Sequence, residues 1–215
     1  MSEFLSISLL IMLAAISPGP DFAMVTKNSL MYTRRHGVAT ALGISISLLV
    51  HASYCILGLA LVISQSLLMF TCIKTLGAAY LIYIGIKSLL AKRTHMQIAY
   101  QYSTHMITQR QAFQQGFLGN LLNPKAIMFL LAFFTLVVKP NSSTWVLAGY
   151  GVEIAVIHMI WFSILAYFLT HMHIKRHLQH AQYYIVKVMG ALLIVFGVRI
   201  ATLKQTLTLP ALVTE

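Results

Sequence analysis

Long apolar runs separated by short polar connections organise this chain. Crossing the hydrocarbon core of a bilayer takes about 20 consecutive apolar residues of helix. Six such runs occur, at roughly 4–26, 38–64, 68–90, 114–138, 144–170 and 184–203. Only one connection is long: 91–113, which contains the polar stretch KRTHMQIAYQYSTHMITQRQ. It divides the chain into two groups of three spans, 1–90 and 114–203, followed by a tail at 204–215. The expected fold class is an all-α integral membrane protein of six transmembrane helices.

Composition agrees and excludes the soluble classes. Of 215 residues, 59% are apolar or aromatic and only 9% are charged, against about 25% charged in ordinary soluble domains. The mean hydropathy of +0.81 leaves too little polar side chain to cover a folded surface in water. A soluble enzyme, a disordered chain, a coiled coil and a disulfide scaffold are all excluded. Cys55 and Cys72 fall inside apolar runs, so no disulfide is expected. The first apolar run has no Lys or Arg before it and carries Glu3. It therefore reads as a retained span and not as a cleaved signal peptide.

The net charge of +11 would raise nucleic-acid binding in a soluble domain, but here the basic residues lie mainly between spans, and no nucleic-acid partner is expected. They set orientation, because cytoplasmic connections carry the excess of Lys and Arg. Lys27, Arg34, Arg35, Lys87, Lys92, Arg93, Arg110, Lys175, Arg176 and Lys187 fall on one side, and Lys74, Lys139, Arg199 and Lys204 on the other. Both termini are expected outside and the long connection inside. A five-span arrangement with a re-entrant first segment would place the N-terminus inside instead.

The two halves resemble each other. The third run reads KTLGAAYLIYIGIKSL and the sixth KVMGALLIVFGVRIAT, so that Lys74, Gly77, Gly85 and Lys87 correspond to Lys187, Gly190, Gly197 and Arg199 with one residue of slippage. Ser17-Pro18-Gly19-Pro20-Asp21 in the first run answers Leu122-Asn123-Pro124-Lys125 in the fourth, Pro20 against Pro124 and Asp21 against Lys125. An odd number of spans per half sets the copies in opposite senses across the membrane. Such a 3+3 inverted repeat is common in secondary transporters, and Gly/Pro-interrupted segments at matching positions point to the binding site.

Pro18, Gly19 and Pro20 cannot continue a regular helix, since two prolines remove backbone donors and glycine permits the turn. Carbonyls freed in hydrocarbon must be satisfied by protein or by water in a cavity. Asn123 and Pro124 repeat the device, the asparagine being able to cap the next half-helix. A tolerated kink is the plain alternative at both places. Asp21 and Lys125 follow the two breaks directly. With Glu3 and Glu215 at the ends, Asp21 and Glu153 are the only acids inside spans. A charge there costs several kcal/mol unless paired or hydrated, which marks it as functional by default. Asp21 suits a substrate ammonium or a proton, and Lys125 a carboxylate. Their plain readings are a dipole-stabilised first-turn acid, a snorkelling lysine, or a structural ion pair.

Glu153 is a further candidate for proton coupling or substrate binding, with a hydrogen-bonded packing role as its alternative. His158 follows it by five residues, about 140° round the helix, so the two do not share a face. Ala39, Gly43, Ser47 and His51 form a stripe at four-residue intervals, which reads first as close helix packing. His51 at its end could also carry protons. The histidines of 171–180 lack a metal-ligand spacing and sit beside Lys175 and Arg176, so that stretch reads as a polar basic connection with no metal site. Nucleotide-binding and hydrolase motifs are missing as well. No cofactor is expected, and transport would run on an ion gradient.

SPGPDFAMV, GVATALGISISLLVHASYCILGLAL, KTLGAAYLIYIGIKSL and GFLGNLLNPKAIMFLLAFF together resemble the LysE/RhtB family of bacterial amino-acid exporters, nearest its homoserine/threonine branch. The likeness covers nearly the whole chain. It implies a multi-pass protein of the bacterial inner membrane that expels amino acids or close derivatives in exchange for protons, and the charge count then makes both termini periplasmic. The family's motif residues fall on Pro18, Gly19, Pro20, Asn123, Pro124 and Lys125. Some members carry an Asp in the second span shortly after the glycine, where this chain reads GISISLLVH. That departure weighs against lysine or arginine and for a neutral, threonine- or homoserine-like substrate. The expected partners are thus a small amino acid, protons and the lipid bilayer, with homo-oligomerisation left open. Export of divalent metal ions is the runner-up, and an intramembrane lipid-modifying enzyme or a purely structural membrane partner comes after it.

Overall fold

The computed structural model of the chain describes residues 2–17, 19–65, 67–90, 106–137, 142–169 and 172–202. They form eight helices and no strand: α1 (Ser2–Ile16), α2 (Pro20–Met31), α3 (Arg34–Gln65), α4 (Leu67–Leu90), α5 (Gln109–Leu121), α6 (Pro124–Val137), α7 (Thr144–Leu169) and α8 (Met172–Thr202). By length and apolar composition, three stretches can each cross a membrane, within α3, α4 and α7. The count rises to five if each of the bent pairs α1–α2 and α5–α6 is one span. Of α8, the apolar segment whose side chains are all described is Gly190–Thr202.

Both helix breaks fall at the proline segments. The α1–α2 pair is bent by 54° and the α5–α6 pair by 57°. Pro20 opens α2 after an extended Gly19 (φ −178°, ψ −167°), a position where the missing amide hydrogen costs nothing. Asn123 starts α6: its carbonyl accepts from the Ile127 amide at 3.1 Å and its side-chain Oδ1 from the Lys125 amide at 3.0 Å. An asparagine cap of this kind satisfies backbone donors that a helix start leaves open.

Two connections are shorter than the apolar pattern implies. α5 begins at Gln109, ahead of the run expected from 114, because Thr108 and Gln111 form a capping box that nucleates a polar first turn. The expected connection at 171–180 is helical backbone from Met172 onward. No Gly or Pro interrupts 172–189, so nothing stops the helix there. The side chains of 171–180 lie outside the described residues.

α3 is the centre of the packing, against α5, α7 and α2, while α4 pairs with α8. Glycines permit the close crossings. A Cβ on Gly43 would stand 2.7 Å from the Phe117 amide nitrogen of α5 and closer still to the Phe113 carbonyl. Where α4 meets α8, a Cβ on Gly85 would stand 2.6 Å from the Gly190 carbonyl, and one on Gly190 2.7 Å from the Gly85 carbonyl. Small residues bring backbones together in lipid, where helix association lacks a hydrophobic drive. The outward faces of α3 and α7 carry Leu42, Ile46, Leu49, Val152, Val156 and Ile160. The interior holds Asn28, Thr40, Ser47, His51, Asn120, Asn123 and His158. An apolar exterior enclosing polar groups within an apolar core is the arrangement of a membrane-embedded bundle.

Candidate functional site

The two helix breaks converge on one cavity, of about 40 Å³, room for roughly three ordered waters. Gly19, Pro20 and Asp21 line it from the first break, and Lys125, Ala126, Phe129 and Leu130 from α6. Tyr80, Leu81 and Ile84 of α4, His158 and Phe162 of α7 and Leu193 of α8 close the far wall.

Each charge has a built environment. Asp21 is in the first turn of α2, where the positive end of the helix favours a carboxylate. Asn120 Nδ2 donates to Asp21 Oδ2 at 2.9 Å, and Asn123 Nδ2 donates to both carboxylate oxygens at 3.3 Å. Asn120 near the end of α5 and Asn123 at the start of α6 thus supply side-chain amide donors to the acid on α2. Lys125 reaches the opposite way. Its Nζ donates to the Ser17 hydroxyl at 2.9 Å and to the Ser17 carbonyl at 3.3 Å, just past the last turn of α1, where a helix end favours a cation. The two half-helix pairs therefore exchange partners: an amide end for the acid, a carbonyl end for the base. Asn123 ties the two together, since one end of its amide holds Asp21 and the other caps the backbone of Lys125.

His51 stands one step behind. It is buried on α3, and its Nε2 donates to the Asn120 carbonyl at 3.1 Å while Nδ1 accepts from the Tyr54 hydroxyl. A carbonyl can only accept, so the neutral ring carries its hydrogen on Nε2. His51 anchors the same residue that holds Asp21. The small-residue stripe leading to it is the seam between α3 and α5, with Gly43 against Phe113 and Phe117.

The sequence candidates thus separate. Gly19, Pro20, Asp21 and Lys125 line the cavity, and Asn123 bonds Asp21 from behind. Pro124 is exposed as the first residue of α6, and His51 acts through Asn120. Glu153 is not among the lining residues: its Oε1 accepts from Ser8 of α1 at 2.5 Å. Pro18 lies outside the described residues. Ser17, Tyr80, Asn120 and His158 were given no site role by sequence. Asn120 carried a signal, an amide in an apolar run three residues before Asn123. Tyr80 and His158 join only through the packing of α4 and α7. Among the described residues no three of His, Cys, Asp or Glu gather as metal ligands.

Comparison with known proteins places this geometry. The family model described as "LysE type translocator" matches residues 12–204. The uncharacterized membrane protein YrhP of Bacillus subtilis is 34% identical over 196 residues, covering 86% of this chain and 91% of the relative. A threonine efflux protein of Escherichia coli K12 is 30% identical over 198 residues, 92% of this chain and 96% of the relative. A homoserine/homoserine lactone efflux protein of Salmonella typhimurium is 33% identical over 155 residues, 69% and 71% of the two chains. No solved structure matches. With a family model spanning most of its length and two helix breaks meeting at one charged cavity, the chain belongs to the LysE family of membrane translocators, which are transporters and not enzymes.

Proposed function

We propose that this protein exports a neutral amino acid of the threonine or homoserine kind across the bacterial inner membrane in exchange for protons. One observation carries the reading: opposite charges, each in the first turn of a broken half-helix, line a single cavity. An amino acid at neutral pH has one ammonium and one carboxylate. Once the cavity widens from its present three-water size, Asp21 meets the ammonium, and Lys125 with the Ser17 hydroxyl meets the carboxylate. The names of the threonine and homoserine efflux relatives and the largely apolar lining favour a small substrate without net charge.

Exchange follows from competition at Asp21. Its carboxylate accepts either a substrate ammonium or a proton, and neutralising it lowers the cost of carrying the empty site across. Asn120 and Asn123 keep the carboxylate aimed at the cavity in both states. We place coupling at Asp21 and not at Glu153, which bonds Ser8 away from the cavity.

The architecture behind this reading is a 3+3 inverted repeat: 1–90 and 114–203 joined by a cytoplasmic connection at 91–113, with both termini periplasmic. Reciprocal packing supports it: α6 on α3 answers α2 on α7, and α5 on α3, by far the more extensive of its pair, answers α1 on α7. α4 packs on α8, where Gly85 meets Gly190 and Gly197 meets Ala78, the residue after Gly77. α2 also packs on α3 and α4 on α6, more than their counterparts do; a bundle held in one of two exchangeable shapes has this inequality.

Cells preloaded with labelled threonine test the proposal. Wild type is expected to release it in a protonophore-sensitive manner, and Asp21→Asn to abolish release while reaching the membrane normally. Full-rate export by Asp21→Asn removes Asp21 from the mechanism.

A further inference from the structure

We infer that His158 selects substrates bearing a side-chain hydroxyl. This inference deepens the export reading above and rests on it. With the amino-acid backbone held between Asp21 and Lys125, the substrate side chain lies against the α4 and α7 wall. That wall is apolar except at Tyr80 and His158.

His158 is buried (7% exposed), with its ring tilted against Phe162 at 6.0 Å between centroids. Its Nδ1 donates to the Ile154 carbonyl at 2.8 Å, one turn earlier in α7. That bond fixes both ring orientation and tautomer, because the carbonyl is only an acceptor. Nε2 remains as an acceptor for a cavity ligand. Among small neutral amino acids of the threonine or homoserine kind, the side-chain hydroxyl is the group that donates to such a nitrogen. A purely aliphatic side chain leaves Nε2 desolvated without a partner, and this penalty discriminates more than the hydrogen bond itself. Tyr80 is the weaker candidate: it is only half-buried, and its ring leans towards Tyr83 on the outer face of α4.

The test compares export of threonine, homoserine and 2-aminobutyrate, which lacks the hydroxyl of either. The ratio of rates within one variant is independent of how much protein reaches the membrane. Wild type is expected to favour the hydroxylated pair by about tenfold. His158→Ala brings the ratio close to one, His158→Gln retains part of the preference through its amide oxygen, and Tyr80→Phe keeps it. Should the alanine variant fail to accumulate, His158→Leu fills the space and reads the same ratio. A wild-type ratio near one overturns the inference while export of all three leaves the transport reading standing. Loss of preference in Tyr80→Phe with retention in His158→Ala overturns it as well. No export of any of the three by wild type rejects the transport reading itself.

Discussion

Gly43→Ala tests how the seam between α3 and α5 holds the site. A Cβ at this position stands 2.7 Å from the Phe117 amide nitrogen and closer to the Phe113 carbonyl. Both are backbone atoms that cannot rotate away. Restoring ordinary contact requires the helices to part by about 1 Å. The His51 bond to the Asn120 carbonyl, at 3.1 Å, then passes beyond hydrogen-bond reach, and Asn120 loses the anchor that aims its amide at Asp21. Because both contacts are with backbone, the overpacking falls in the upper part of the usual range, about 2–3 kcal/mol, of which alanine's better helix propensity offsets about 1 kcal/mol. Thermal unfolding in detergent is expected about 2–8 °C below wild type, with a matching fall in export. Gly149→Ala is the control, because nothing lies within 4 Å of its Cβ position; it melts at or slightly above wild type. A Gly43→Ala protein that melts with wild type, beside a well-behaved Gly149→Ala, would refute the argument.

Other substitutions separate the parts of the site. Lys125→Met keeps length and apolar stem but loses the ammonium at Ser17, so export is expected to fall at least tenfold with protein level preserved; an unchanged rate would leave Lys125 with only a structural role at the end of α1. Asn123→Ala removes both a helix cap and a carboxylate donor, and is expected to cost about 1–2 kcal/mol of stability as well as most of the transport. Gly19→Ala keeps an extended backbone that any residue adopts, but its Cβ stands 3.1 Å from Lys125 Nζ; normal folding with slowed export is expected, and normal export would show that the ammonium's position is not critical. Glu153→Gln is expected to keep protonophore-sensitive export, measured in the same preloaded cells, and uncoupled release would move the proton site to Glu153.

The breaks were legible because Pro and Gly act locally. Removing an amide hydrogen interrupts a helix whatever surrounds it, and both bends fall at the proline segments. Asp21 and Lys125 were legible because charge is scarce in this chain and costly in lipid. The small-residue stripe of α3 also pointed to packing, and Gly43 does sit at a close crossing, while Gly85 and Gly190, read as repeat positions, meet at another. Contacts between distant segments were less readable. Periodicity showed that Glu153 and His158 face different ways, but not that α1 would supply Ser8 to one and the cavity would receive the other. Asn120 likewise depends on how the end of α5 meets α2 and α3. The polar starts of α5 and α8 escaped an apolar search because a capping box, and the absence of any stop residue, extend helices past their hydrophobic runs.

Purified protein in liposomes loaded with threonine and a pH-sensitive dye reaches the central claim most directly. Threonine efflux should be accompanied by acidification of the lumen, whichever way the protein is inserted, and Asp21→Asn should abolish both signals. Threonine leaving wild-type liposomes with no change in lumenal pH would contradict proton exchange at Asp21, and no threonine flux at all would contradict the assignment of substrate.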